Sequence, residues 1–375
     1  MIYLDYSANT PVDARVLEQF CAVERRCIGN ANSHHQAGSA AKAEIDAATI
    51  KIASLLGVQP AEIIYTSGAS EANNFALKGL ARLSRHAGRH IISTPLEHSS
   101  VSGTLTALQE QGYEIDLLDV KQDGTVDLEH LKDLLRPDTI CVAITLVDSE
   151  LGVVQPVQEI AAILKAYPHC HLHVDATQAV GKIPVSFEGV DTMSLTAHKF
   201  YGLNGIGLLI KRRNLALEPL IHGGESTTIY RSGTPTVALA SSLACALNLA
   251  VTDLPGRVDH VAKLNAELRA ALSTYPLVRI NSPDHAIPHV LNLSVRNVKG
   301  TVFQRELDAK GVCVSVKSAC SSDGLPSRAV FAVSRDRRNA LSSWRISLSH
   351  LTTEEEIKAF LQAFDVCYRE LTAVH

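Results

Sequence analysis

From about residue 41 onward, apolar positions recur at helical and strand spacing in turn. Ile45, Ala48, Ile52, Leu55 and Leu56 share one helical face, and Gly57 closes that helix. A short apolar strand is predicted at 62–66. The polar turn Ser67-Gly68-Ala69-Ser70 follows, and Glu71 begins another helical stretch. The alternation then predicts strand 90–95, helix 98–111, strand 114–120, helix 127–135, a long apolar strand 139–148 and helix 157–165. Strands 171–177, 192–198 and 205–211 complete the set. Strands separated by helices of about a dozen residues imply βαβ crossovers and a mostly parallel sheet. Such sheets bind ligands beyond the carboxyl ends of their strands, so the turns after the strands are where chemistry is to be sought.

Leu254-Pro255-Gly256 interrupts the pattern. Beyond it the sequence predicts helix 258–273, strands 278–281 and 290–295, helix 302–310 and strand 312–316. The last helix is predicted to start at Thr352, with Thr352-x-x-Glu355 as its capping box. This tail reads as a smaller α+β domain.

Composition narrows the function. Lys+Arg 35 against Asp+Glu 39 gives a net charge of −4, and aromatics make up 5%, which argues against nucleic acid as a main partner. No apolar run approaches the ~20 residues of a membrane helix. The opening Met-Ile-Tyr-Leu-Asp-Tyr lacks the regions of a signal peptide, so a cytoplasmic location is expected. Eight cysteines are scattered without C-x-x-C spacing, and no metal site is expected.

Four features fall at predicted strand ends. Asp175 ends one apolar strand, and Thr196-Ala197-His198-Lys199 ends the next. The Ser67–Glu71 turn leads into a helix whose N-terminal N–H groups suit a phosphate. His98 follows strand 90–95. Each alone has an ordinary structural reading as a cap or a solvated strand end. Together they match the needs of pyridoxal phosphate: donors for its phosphate, an amine for its carbonyl, a carboxylate for its ring nitrogen and a ring to stack on.

That combination resembles the fold-type-I pyridoxal-phosphate enzymes of aminotransferase class V, and within them the NifS/IscS-type cysteine desulfurases. The matching motifs run along nearly the whole chain. They are Tyr3-Leu4-Asp5-Tyr6-Ser7-Ala8, Gly29-Asn30, Thr66–Glu71, Glu97-His98, His173–Gln178, Ala197–Gly202, Arg231-Ser232-Gly233-Thr234, Ser318-Ala319-Cys320 and Trp344-Arg345-Ile346-Ser347. The resemblance implies an α/β fold with a large, mostly parallel seven-stranded sheet domain over 15–254. It assigns 1–14 and 255–375 to a small α+β domain carrying the catalytic cysteine loop.

By the same resemblance, Lys199 holds the cofactor as a Schiff base, Asp175 pairs with the ring nitrogen, and Gln178 meets the phenolic oxygen. His98 stacks on the ring and shuttles a proton. Ala69, Ser70, Thr196 and His198 hold the phosphate. Thr234 reaches the phosphate in the neighbouring subunit of a homodimer. Arg345 and Ser149 bind the substrate carboxylate. Cys320, in a loop of small and polar residues, takes sulfur from L-cysteine as a persulfide and passes it to an acceptor protein. Alternatives are a selenocysteine or cysteine-sulfinate lyase and a non-catalytic scaffold.

Three segments depart from the family pattern. Asp148-Ser149-Glu150-Leu151-Gly152 stands where Asn-Asn-Glu-x-Gly is usual, which is expected to bring a negative charge near the substrate carboxylate. Gly223-Gly224-Glu225-Ser226-Thr227-Thr228-Ile229-Tyr230-Arg231 replaces Gly-Gly-Gly-Gln-Glu-x-Gly-x-Arg. Lys317 replaces a glycine shortly before Cys320.

Overall fold

The computed structural model describes residues 1–317 and 325–373. The chain opens with β1 (Ile2–Tyr3), α1 (Ala14–Arg26) and α2 (Gln36–Leu56). The strands that follow are β2 (Ile63–Thr66), β3 (His90–Ser93), β4 (Glu114–Leu117), β5 (Thr139–Thr145), β6 (His171–Asp175), β7 (Thr192–Thr196) and β8 (Gly207–Lys211). Between them run α3 (Ala69–Leu83), α4 (Ser99–Gln109), α5 (Leu128–Leu134) and α6 (Val157–Leu164). Next come α7 (Val237–Thr252), α8 (Leu254–Leu272), β9 (Val278–Ile280), β10 (Val290–Val295), α9 (Gly300–Ala309) and β11 (Val312–Cys313). The described chain ends with α10 (Arg328–Ser334), α11 (Arg337–Ser342), β12 (Ser343–Ser347) and α12 (Glu354–Thr372).

Seven strands form one sheet in the order β2-β8-β7-β6-β5-β3-β4. β3 to β7 pair in parallel, while β8 runs antiparallel to both of its neighbours. Every residue of β5 is buried, as a central strand covered on both faces requires. Val142 and Ile144 join Ile160 and Leu164 of α6 in one core. Cys141 and Ala143 join Leu80 of α3 and Leu105 of α4 in another. Each buried Val, Leu or Ile side chain here contributes about 1.5–3 kcal/mol by leaving water.

A further core lies around the antiparallel sheet β12-β10-β9. Leu291 and Leu293 meet Trp344, Phe303, Phe360 and Phe364 there, and Phe303 stacks on Trp344 at 5.1 Å between centroids. The N-terminus belongs to this core: β1 pairs in parallel with β11, and Leu4 is fully buried within it. That anchoring carries Asp5, Ser7 and Ala8 to the rim of the seven-stranded sheet.

Expected boundaries shift at several elements, and two of the shifts have a clear local cause. Leu254-Pro255-Gly256 does not precede a helix at 258 but forms the first turn of α8, where proline's missing N–H needs no partner. The break falls at Asp253, and α7 and α8 bend there by 65°. The capping box of α12 uses Thr353 and Glu356, one residue later than expected. The Thr352 hydroxyl is already engaged, accepting from Ser349 N–H at 3.1 Å. α1, α7, α10 and α11 are not marked by the apolar pattern. α7 buries residues all around its circumference, so no single face stands out. Among the described residues, no single helix is long and apolar enough to cross a membrane.

Candidate active site

Three elements end at one cavity of 340 Å³ at the carboxyl rim of the sheet. β2 ends at Thr66 and turns into α3. Gly68 takes φ +155° and is followed by Ala69 as the first helical residue, so the N–H groups of the first turn have no acceptor within the helix. This turn sits close against β8. A Cβ at Gly207 would stand 2.7 Å from Gly68 Cα and 2.6 Å from the Leu195 carbonyl oxygen, so only glycine fits there. β6 ends at Asp175, and β7 leads through Thr196 into a short turn carrying His198 and Lys199.

The cavity is lined by Ala69, Ser70, His98, Ser149, Asp175, Gln178, Thr196, His198, Lys199 and Arg345, which are ten of the residues expected from the sequence. Thr234 does not line it and is exposed. Cys320 lies outside the described residues. A larger and more open groove of 950 Å³ lies between α2 and residues 225–227. Its lysine, Lys42, pairs with Asp46, and none of the expected site residues lines it.

The polar groups of the cavity are held from several directions. Asp175 accepts from Thr177 N–H at 2.9 Å and from Asn73 Nδ2 at 2.8 Å. Lys199 Nζ donates to the carbonyls of Ser7 at 2.8 Å and Ala8 at 2.5 Å. Gln178 Nε2 donates to the same Ser7 carbonyl at 2.9 Å, and its Oε1 accepts from Lys182 Nζ at 2.9 Å. Burial, followed by repulsion from Lys199 and Arg345, pulls the Lys182 ammonium down to about 7. His98 caps α4, its Nδ1 accepting from Ser100 N–H at 3.1 Å. Burial lowers the proton affinity of His98, and it brings His198 down to about 4 with help from Lys199 and Lys182.

Arg345 lies at the cavity wall and is almost wholly buried. It donates to the Ser149 carbonyl at 2.7 Å and to Asp5 Oδ1 at 2.9 Å. Ser315 Oγ donates to the other Asp5 oxygen at 2.7 Å. Arg345 Nε is buried without a partner among the described residues, and so are Ser7 Oγ and Thr177 Oγ1 on the same cavity.

Asp148 lies behind the cavity wall, close enough to Arg345 for their charges to interact. Its side chain is fully buried and does not line the cavity. Oδ2 accepts from the N–H groups of Glu150 and Leu151 and closes the 148–151 turn. Burial pushes its carboxyl up to about 7, with the nearby Glu150 adding to the effect. The altered segment at 223–231 also finds an anchor: Arg231 Nε donates to Glu71 Oε1 at 3.0 Å, in the first turn of α3.

Pyridoxal phosphate fits this donor set. Its phosphate would sit at the start of α3, with Ser70, Thr196 and His198 on the same cavity. Its carbonyl would meet the Lys199 amine and its ring nitrogen the Asp175 carboxylate, both at this cavity.

The fold and the site define a class-V aminotransferase, and the chain belongs to that family, whose model matches residues 2–360. Enzymes of this family work with pyridoxal phosphate. The chain is 40% identical over 365 residues to the cysteine desulfurase IscS of Proteus mirabilis, covering 95% of this chain and 90% of that one. It is 36% identical over 378 residues to the IscS of Dictyoglomus turgidum, covering 100% and 96%. A solved NifS-like protein superposes with TM-score 0.92 at 36% identity over 99% of each chain. A structure described as SspA in complex with cysteine does so with TM-score 0.82 at 30% identity, over 94% of this chain and 100% of that one.

Sequence reasoning missed Asn73, Ser100, Lys182 and the role of Asp5. Asn73 and Ser100 lie within helices and Lys182 in the turns beyond β6, rather than at the strand ends from which Asp175, Lys199 and His98 are read, and Asp5 is seen only as part of a motif.

Proposed function

We propose that this chain is a pyridoxal-phosphate-dependent cysteine desulfurase that moves sulfur from L-cysteine to Cys320. The observation that carries this reading is the meeting of Lys199, Asp175, the start of α3 and Arg345 at one cavity. When bound, the cofactor withdraws electrons from the substrate's α-carbon and so loosens the bonds around it. Asp175 would hold its ring nitrogen, Gln178 its phenolic oxygen, and Ala69, Ser70, Thr196 and His198 its phosphate. Arg345 binds the substrate carboxylate with the donors it still has to offer, beside Ser149. Lys199 Nζ takes the proton from the substrate α-carbon and returns one. The Cys320 thiolate then forms a bond to the substrate sulfur as the carbon–sulfur bond breaks. The carbon keeps that bond's electron pair, takes up a proton, and alanine leaves. The persulfide passes to an acceptor protein.

Two features extend the reading. Thr234, exposed on this chain, would contact the cofactor phosphate of a second copy in a homodimer. The seven described cysteines are all free, which agrees with a reducing compartment such as the cytoplasm.

The test is direct. Protein loaded with pyridoxal phosphate should be yellow and release alanine and sulfide from L-cysteine in the presence of a thiol reductant. Cys320→Ala should stop sulfide release from cysteine. If it does not, the persulfide role is wrong. Retained turnover of selenocysteine or cysteine sulfinate in that variant would favour a lyase instead.

A further inference from the structure

Asn73 stands at the centre of a buried hydrogen-bond chain linking two residues of the cavity. It is fully buried. Nδ2 donates to Asp175 Oδ2 at 2.8 Å and to Ser100 Oγ at 2.9 Å. Oδ1 accepts from Ser194 Oγ and, at 3.0 Å, from His173 Nε2. His173 Nδ1 lies 2.9 Å from Thr192 Oγ1. Ser100 Oγ lies 2.9 Å from His98 Nδ1, and Ser100 N–H reaches that same nitrogen at 3.1 Å.

One acceptor sets the direction of every bond. A carboxylate can only accept, so Asp175 must face the Asn73 NH₂ and the amide cannot be flipped. The second Nδ2 hydrogen goes to Ser100 Oγ. The Ser100 hydroxyl hydrogen is then left to donate to His98 Nδ1. With the Ser100 backbone N–H on the same atom, that nitrogen has no place for a proton of its own.

We infer that Asn73 and Ser100 are positioning residues that hold His98 as the neutral tautomer protonated at Nε2, so that on the cavity side the ring donates a hydrogen bond rather than taking a proton. Protonating Nδ1 would break both bonds from Ser100, one of them the N-cap of α4. Burial opposes the doubly protonated ring as well. Proton uptake from the substrate then falls to Lys199 and not to His98. The tautomer stands on the protein's own bonds, whereas its consequence for catalysis rests on the cofactor reading above.

The tautomer can be read by nitrogen NMR on ¹⁵N-histidine-labelled protein, with and without pyridoxal phosphate. The His98 signals are identified by their loss in His98→Gln. The expected result is a proton on Nε2 and a bare Nδ1 in both states. Ser100→Ala removes one of two donors, so the Nδ1 resonance should move toward that of an unbonded ring nitrogen. Ser100→Thr, which keeps a hydroxyl, should restore it. Asn73→Ala should move the same resonance in the same direction, because the Ser100 hydroxyl loses the donor that orients it. A wild-type proton on Nδ1, or an Nδ1 resonance unmoved in Ser100→Ala, overturns the assignment. Failure of the cofactor reading would show separately, as the absence of a Schiff-base absorption band whatever the tautomer.

Discussion

Removing Asp5 should destabilise the protein through a cation left behind. The Arg345 side chain is 2% exposed and that of Asp5 17%, and their contact at 2.9 Å is the only ion pair described for either residue. Among the described residues Arg345 Nε already lacks a partner. In Asp5→Ala the guanidinium would keep, among the described residues, a single bond, to the Ser149 carbonyl, and Ser315 Oγ would lose its described acceptor. Breaking a buried pair from one side costs about 3–5 kcal/mol, because the surviving charge is uncompensated. Replacing both partners with apolar groups is often close to neutral. The double variant Asp5→Ala/Arg345→Met should therefore regain most of the stability that Asp5→Ala loses, while remaining inactive. The protein carries one tryptophan, Trp344, buried in β12 beside Arg345, and its fluorescence reports unfolding at the right place. The assay is urea denaturation of cofactor-free protein, since a bound cofactor would add stability by mass action. A loss below about 1 kcal/mol in Asp5→Ala, or a double variant no more stable than the single one, would refute the reasoning.

Further outcomes follow from other groups. Burial holds the Glu97 carboxyl up at about 8 against an ordinary 4.5, so between those values the unfolded chain releases this proton first and stability falls as pH rises; Glu97→Gln should flatten that fall in denaturation midpoints measured across the window. Lys199→Ala should bind pyridoxal phosphate without the Schiff-base band and without turnover, and a full covalent band would sink its assignment. Thr234→Ala should weaken cofactor binding roughly 10- to 150-fold, for a hydrogen bond to a charged group worth about 1.5–3 kcal/mol. Mixed with Lys199→Ala subunits it should regain activity, since one site of the mixed dimer then carries neither lesion; no regain after verified subunit exchange would place Thr234 in its own subunit's site.

The sequence by itself determined what is local. Period and strand-end chemistry located all seven strands of the large sheet, and they picked out Asp175, Lys199, His98 and the Ser67–Glu71 turn as neighbours on one rim. These signals are legible because strand alternation, helix periodicity and glycine turns are written within a few residues of one another. Tertiary structure decided which of these side chains are held, and by what. Asp175 takes its second bond from Asn73, 102 positions away, and Arg345 takes its counter-charge from Asp5, 340 positions away. The pairing of β1 with β11 helps bring Ser7 and Ala8 to the cavity and Asp5 to Arg345, and no hydrophobic periodicity within residues 1–8 announces it. Asp148 shows the same dependence: only the turn it closes sets its carboxylate into the interior behind the cavity wall. A side chain's direction and its partners depend on contacts that exist only once distant segments have packed, whereas its place on a strand or helix is settled by its immediate neighbours in the chain.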